Sequence, residues 1–124
     1  MPERILVVDD DPLLCSLLEM ALGREGYQTS VVYSGRAALD ILEKESFDLI
    51  LLDIMMADLN GFDVIRQIQA SPKSAAIPVI FLTARVDAIS QRIGMDAGAV
   101  EYLTKPITPD DLISRVKATL ASRS

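Results

Sequence analysis

Asp48-Leu49-Ile50-Leu51-Leu52-Asp53 is an unbroken run of Leu and Ile bounded by acids. Such a run fits a strand covered on both faces, as in the middle of a parallel sheet, where no solvent-facing side forces alternation. In an open parallel α/β sheet, ligands gather in the crevice outside the carboxyl ends of the strands, near the point where strand order reverses. Asp53 therefore falls at the functional end. A lone Asp at a strand end more often just opens a turn, so the weight rests on what ends the other strands.

Working outward, Arg4-Ile5-Leu6-Val7-Val8-Asp9 has the same buried look and runs into Asp10 and Asp11. The segment from Tyr27 to Tyr33 is more polar, which suits a position at or near a sheet edge. Pro78-Val79-Ile80-Phe81-Leu82-Thr83 is apolar up to its last residue, and Val100-Glu101-Tyr102-Leu103-Thr104 leads into Lys105-Pro106. Between these runs lie apolar stripes of helical period: Leu14, Leu17, Leu18, Ala21 and Leu22; Ala38, Ile41 and Leu42; Phe62, Val64, Ile65 and Ile68; Val86, Ile89, Ile93 and Ala97; Ile113, Val116 and Leu120. Asp11-Pro12, Ser34-Gly35 and Thr108-Pro109 have the chemistry of helix starts, and Gly23, Gly26 and Gly98 that of helix stops.

The spacing predicts strands over about 4–9, 28–33, 48–53, 78–83 and 100–104, and helices over about 12–24, 35–45, 61–70, 86–97 and 109–121. Strict alternation of this kind means parallel strands, right-handed crossovers and helices on both faces of the sheet. The expected class is α/β, a flavodoxin-like doubly wound sheet. Periodicity leaves the strand order open, but the order 2-1-3-4-5 would set the first and third strands side by side at the reversal.

The chain has 124 residues, the size of one domain with a real core, and 1–124 is read as a single domain. Eighteen acidic against 12 basic residues give a formal charge of −6, which argues against direct binding to nucleic acid or to an acidic membrane, since both need a basic face. Cys15 is the one cysteine and lies in an apolar helical pattern, so it reads as core filler. With no histidine, the commonest general base and transition-metal ligand is absent. The start of the chain has no signal-peptide pattern and no apolar run approaches the roughly 20 residues of a membrane span, so a cytoplasmic protein is expected.

The strand ends collect one kind of chemistry. Asp9, Asp10 and Asp53 would crowd carboxylates into one crevice, which repels itself unless protons or a cation neutralise it. Mg²⁺ is the natural occupant, with Mn²⁺ as a substitute, because it takes hard oxygen ligands and binds through one or two carboxylates plus a phosphate oxygen. The Thr83 hydroxyl and the Lys105 ammonium, at the ends of the fourth and fifth strands, would bind the remaining oxygens of a phosphoryl group, with Asp53 as its nucleophile.

Val7-Val8-Asp9-Asp10, Leu51-Leu52-Asp53, Leu82-Thr83-Ala84 and Lys105-Pro106 resemble, in order and spacing, the signature motifs of the receiver domain of bacterial two-component response regulators. The resemblance covers the whole chain. It implies Asp53 as phosphoacceptor, Asp9 and Asp10 as the metal-binding pair with Asp10 the more direct ligand, and the backbone carbonyl of Met55 as a further ligand. It implies Thr83 and Lys105 as phosphoryl-binding residues, and Thr83 with Tyr102 as a switch pair. The family commonly has proline where Ala57 stands and phenylalanine where Ile107 stands, and the first departure loosens the loop after Asp53.

The reading is a phosphorylation switch rather than a turnover enzyme. Asp53 would be loaded in a Mg²⁺-dependent reaction by a sensor histidine kinase or phosphotransfer protein, and the acyl phosphate would shift the face of the fourth helix, fifth strand and fifth helix. That face could serve an effector domain, an output protein or a homodimer. Met55 and Arg85, two places after Asp53 and Thr83, are expected to tune slow loss of the phosphoryl group by controlling in-line water. Lys105-Pro106 is expected to be cis, turning the chain sharply while aiming Lys105 at the crevice. Two rivals stay open: a metal-independent pseudo-receiver, and a small phosphohydrolase, for which no residues are left to build a substrate pocket. With nothing after the fifth helix, the chain is either a stand-alone regulator or part of a longer one.

Overall fold

A computed structural model describes residues 2–123. Its elements alternate as β1 (Arg4–Val8), α1 (Pro12–Arg24), β2 (Gln28–Val32), α2 (Gly35–Lys44), β3 (Leu49–Leu52), α3 (Gly61–Ala70), β4 (Val79–Thr83), α4 (Ala88–Asp96), β5 (Glu101–Thr104) and α5 (Pro109–Ser122). The five strands form one parallel sheet in the order β2-β1-β3-β4-β5, the flavodoxin-like arrangement. The more polar β2 stands at an edge, as its composition led one to expect.

β3 shows why an unbroken apolar run belongs in the middle. Leu49 and Leu51 pack with Cys15, Leu18 and Leu22 of α1 and Leu112, Val116 and Leu120 of α5. Ile50 and Leu52 point the other way, into Ala38 and Leu42 of α2 and Val64, Ile65 and Ile68 of α3. With both faces buried, each position of the strand is apolar. Cys15 is filler of this kind, buried with a free thiol pushed up to about 11, first by burial and then by the Asp9 and Asp11 carboxylates.

Two expected stripes need correction. In α1 the buried residues are Cys15, Leu18 and Leu22, whereas Leu17 is 55% exposed. In α4 the reversal is larger: Val86 precedes the helix and is 69% exposed, Ile89 is 74% exposed, and Ser90 and Gly94 face inward. The reason is space. The rings of Phe81 and Tyr102 lie between α4 and the sheet, and a Cβ on Gly94 would come within 3.1 Å of the first and 3.2 Å of the second. Only small residues fit there, so the large apolar side chains of α4 face outward. The helix starts at Ala88 rather than Val86 because the Asp87 side chain caps it, accepting the Ser90 N–H at 2.9 Å.

Asp11, Ser34 and Thr108 cap α1, α2 and α5 as their sequence context suggested. The Lys105–Pro106 peptide is cis. Ile107 is partly buried against the α1–α5 core. Among the described residues, no helix is long and apolar enough to cross a membrane.

Candidate functional site

Three of the candidate side chains stand one residue beyond the strands, yet their backbones are still held by the ladder. Asp9 N–H donates to the Val32 carbonyl (3.2 Å), Asp53 N–H to Val8 (3.0 Å) and Lys105 N–H to Thr83 (2.8 Å). This explains why the strands end sooner than the sequence spacing suggests while the rim residues remain fixed. β1 and β3 are neighbours at the reversal of strand order, so their acids converge.

Carboxylate oxygens of Asp9, Asp10 and Asp53 lie within 4.8 Å of one another, with Asp9 and Asp53 buried and Asp10 exposed. Lys105 Nζ bridges the two buried acids, 2.8 Å from Asp9 Oδ2 and 3.1 Å from Asp53 Oδ2. Burial raises the Asp9 carboxyl above its ordinary range, against the pull of Lys105. Burial also works against the Lys105 charge, but the hydrogen bonds to Asp9 and Asp53 outweigh it and its pKa is raised. Three carboxylates thus face one ammonium in this cluster, leaving a surplus of negative charge. The donor set is all hard oxygen at the spacing of a single small ion, so these residues fit Mg²⁺.

Thr83 is fully buried and its Oγ1 accepts the Arg85 N–H at 3.2 Å. Tyr102 sits half-buried on β5, its ring 6.0 Å from that of Phe81 and its hydroxyl donating to the Arg85 carbonyl at 2.7 Å. Burial raises its phenol above the ordinary value. Thr83 and Tyr102 are therefore joined through one segment, the backbone of Arg85. Met55 N–H donates to Asp53 Oδ1 (3.2 Å), while its side chain is exposed. Met55, Arg85 and Asp10 line one open cleft of about 480 Å³ with Met56 and Phe62. The Arg85 guanidinium pairs with Asp87, with Nε 3.5 Å from Oδ1.

The β3–α3 connection closes tightly over the acids. Gly61 N–H donates to the Ile54 carbonyl at 2.9 Å, and a Cβ at Gly61 would lie 2.5 Å from the Asp53 carbonyl oxygen. Any other residue would push the loop off the rim. Sequence reasoning missed two residues around the site. Asp87 was legible as Asp three places before Ser90, but Val86 drew the helix start forward. Asp58 had no local signal, since its partners at Gly35 and Arg36 are more than 20 positions away.

An open parallel sheet with an acid pair, a buried acid, a hydroxyl and an ammonium at its carboxyl rim belongs to the class of doubly wound α/β domains with a polar crevice at the strand ends. The family model of the response regulator receiver domain matches residues 5–117, and the chain belongs to that family. Similar curated proteins include the DNA-binding response regulator MtrA of Mycolicibacterium smegmatis, 41% identical over 120 residues. The response regulator MprA of Mycolicibacterium vanbaalenii is 41% identical over 121 residues. Each match takes in 97% of this chain and 51% of the relative, so the chain spans about half the length of these relatives. Among solved structures, a response regulator from Chloroflexus aurantiacus is 33% identical with a TM-score of 0.92, over 98% of this chain and 99% of that one. A CheY-like receiver domain protein from Methanospirillum hungatei is 28% identical with a TM-score of 0.94, over 99% and 97%.

Proposed function

We propose that the domain is a phosphoacceptor switch in which Asp53 takes a phosphoryl group from a histidine of a sensor kinase or phosphotransfer protein. The observation that carries this reading is the buried Asp53 carboxylate, bonded to Lys105 inside a three-acid cluster at the sheet's reversal point. An Asp53 oxygen attacks phosphorus as the donor's P–N bond breaks, and the electron pair of that bond stays on the imidazole nitrogen. Asp10, Asp53 and the Met55 carbonyl, with Asp9 behind them, would hold Mg²⁺, which when bound neutralises the acids and the phosphoryl oxygens.

Lys105, already shared between Asp9 and Asp53, exchanges a carboxylate for a phosphoryl oxygen. Thr83 gives up the Arg85 N–H to do the same, and the Arg85 segment moves with it. Tyr102 is tied to that segment through its hydroxyl, so its ring turns inward and the α4/β5/α5 face changes. Val86, Ile89 and Ile93 make that face apolar, which suits an effector domain, an output protein or a second copy of the chain. The domain loads itself and loses the group slowly. Met55 offers water no good acceptor and Arg85 no base, so the attacking water is poorly held.

The test uses the intact chain, Mg²⁺ and a small-molecule phosphodonor, with intact mass as readout. Wild type should gain one phosphoryl group and Asp53→Asn none. After donor removal, the variant Met55→Asn with Arg85→Glu should lose the group faster, about tenfold for roughly 1.4 kcal/mol of barrier. Labelling of Asp53→Asn, or loading of wild type without any divalent ion, would overturn the switch reading. Equal lifetimes would remove Met55 and Arg85 from it.

A further inference from the structure

The loop that follows Asp53 is fastened to a helix that contributes nothing to the rim. The Asp58 carboxylate accepts the backbone N–H of Gly35 (Oδ1, 3.1 Å) and of Arg36 (Oδ2, 2.9 Å), the first two residues of α2. Those amides are among the donors that a helix start leaves without an intrahelical acceptor. The cap of α2 itself, Ser34, reaches a different one, accepting the Ala37 N–H at 3.1 Å. Asp58 thus supplies from a distant loop what the local cap leaves unmet. Leu59 adds a steric seat beside it: a Cβ at Gly35 would lie 2.9 Å from Leu59 Cβ, so glycine at this position lets the loop lie directly on α2. The amides of Arg36, Leu59 and Gly35 hold the Asp58 carboxyl below the usual carboxylate range.

Elsewhere the loop is held at its ends. Met55 N–H is bonded to Asp53, Gly61 N–H to Ile54, and Asn60 caps α3 by accepting the Asp63 N–H. Between these anchors stands Ala57, whose backbone keeps the freedom that a proline ring would remove.

We infer that Asp58 is a positioning residue for the rim, its bonds to the first amides of α2 holding the Met55 backbone beside Asp53. The inference rests on the reading of the rim as a Mg²⁺ and phosphoryl site. It makes α2, which carries no site residue, part of the support of that site.

The experiment compares the intact wild-type chain with Asp58→Ala, Asp58→Asn, Ser34→Ala and Asp53→Asn. Three quantities are read: amide hydrogen exchange of Met55 to Asp58 without divalent ions, Mg²⁺ affinity by calorimetry, and the unfolding midpoint. Asp58→Ala should speed exchange in the loop and weaken Mg²⁺ about fivefold, the scale of one lost helix-capping interaction. Asp58→Asn keeps an acceptor oxygen and should recover part of both. Ser34→Ala uncaps the same helix without touching the loop, so it should lower the midpoint yet leave Mg²⁺ affinity unchanged. Unaltered loop exchange and affinity in Asp58→Ala would overturn the inference. So would an equal affinity loss in Ser34→Ala, which would mark the effect as one of helix stability. Asp53→Asn separates the two levels: if it binds Mg²⁺ as wild type does, the rim reading itself fails.

Discussion

Asp9 is 3% exposed, raised in pKa by its burial, and faces Asp53 across a shared ammonium. A carboxylate whose ionised form the fold disfavours costs stability at neutral pH. Asp9→Asn should therefore unfold at a higher temperature than wild type at pH 7 without divalent ions. Adding Mg²⁺ should narrow the gap. A ligand that binds only the native state adds about 2.7 kcal/mol at one hundred times its dissociation constant, and the variant, binding more weakly, gains less at the same concentration. Thermal unfolding of both proteins with and without Mg²⁺ measures this. A variant less stable than wild type in metal-free buffer would show that the Lys105 bridge outweighs the burial of Asp9.

At the scale of elements, α4 is the one whose build departs furthest from its sequence pattern. Hydrophobic spacing correctly indicated a helix but not which face is inward, because the rings of Phe81 and Tyr102 belong to other elements. The β strands were legible because burial on both faces writes itself into each position, as from Leu49 to Leu52. The rim was legible for the same topological reason: parallel strands end together, so Asp9, Asp53, Thr83 and Lys105 could be assembled from the sequence. What could not be read were links such as Asp58 to α2, which depend on how two loops lie in space. Asp87 carries a prediction at this scale. It caps α4 through Ser90 and its pKa is lowered, chiefly by that amide. A lowered acid contributes stability above its ordinary value of 3.8, and the contribution is lost as pH falls through the native value. Wild type should exceed Asp87→Asn in unfolding midpoint at neutral pH, and the difference should shrink below about pH 3.8. A difference that is flat with pH would mean the cap does not depend on the charge.

The whole molecule shows two apolar surfaces on either side of an acidic rim. One is the outward side of α4. The other lies on α1, where Leu13, Leu17 and Met20 are exposed, and it continues as a groove of about 590 Å³ between α1 and α5 that Lys105 itself lines. With a formal charge of −6, the domain gains little from bringing up an acidic partner by long-range attraction. On the proposed reading, a phosphohistidine-bearing partner would have to hold its group against Asp53, and the apolar groove that Lys105 lines is on the α1 side. Docking there lets hydrophobic burial supply the affinity while the rim supplies the chemistry. A small-molecule donor needs only the rim. Leu17→Lys with Met20→Lys should therefore slow loading from a histidine phosphotransfer protein by at least about tenfold, since leaving even one such side chain in water forfeits about 1.5–3 kcal/mol. Loading from a small phosphodonor should proceed at the wild-type rate. The matched change Ile89→Lys on α4 should spare both reactions. Equal slowing with both donors would place the defect in the rim, and slowing by Ile89→Lys alone would move the docking surface to α4.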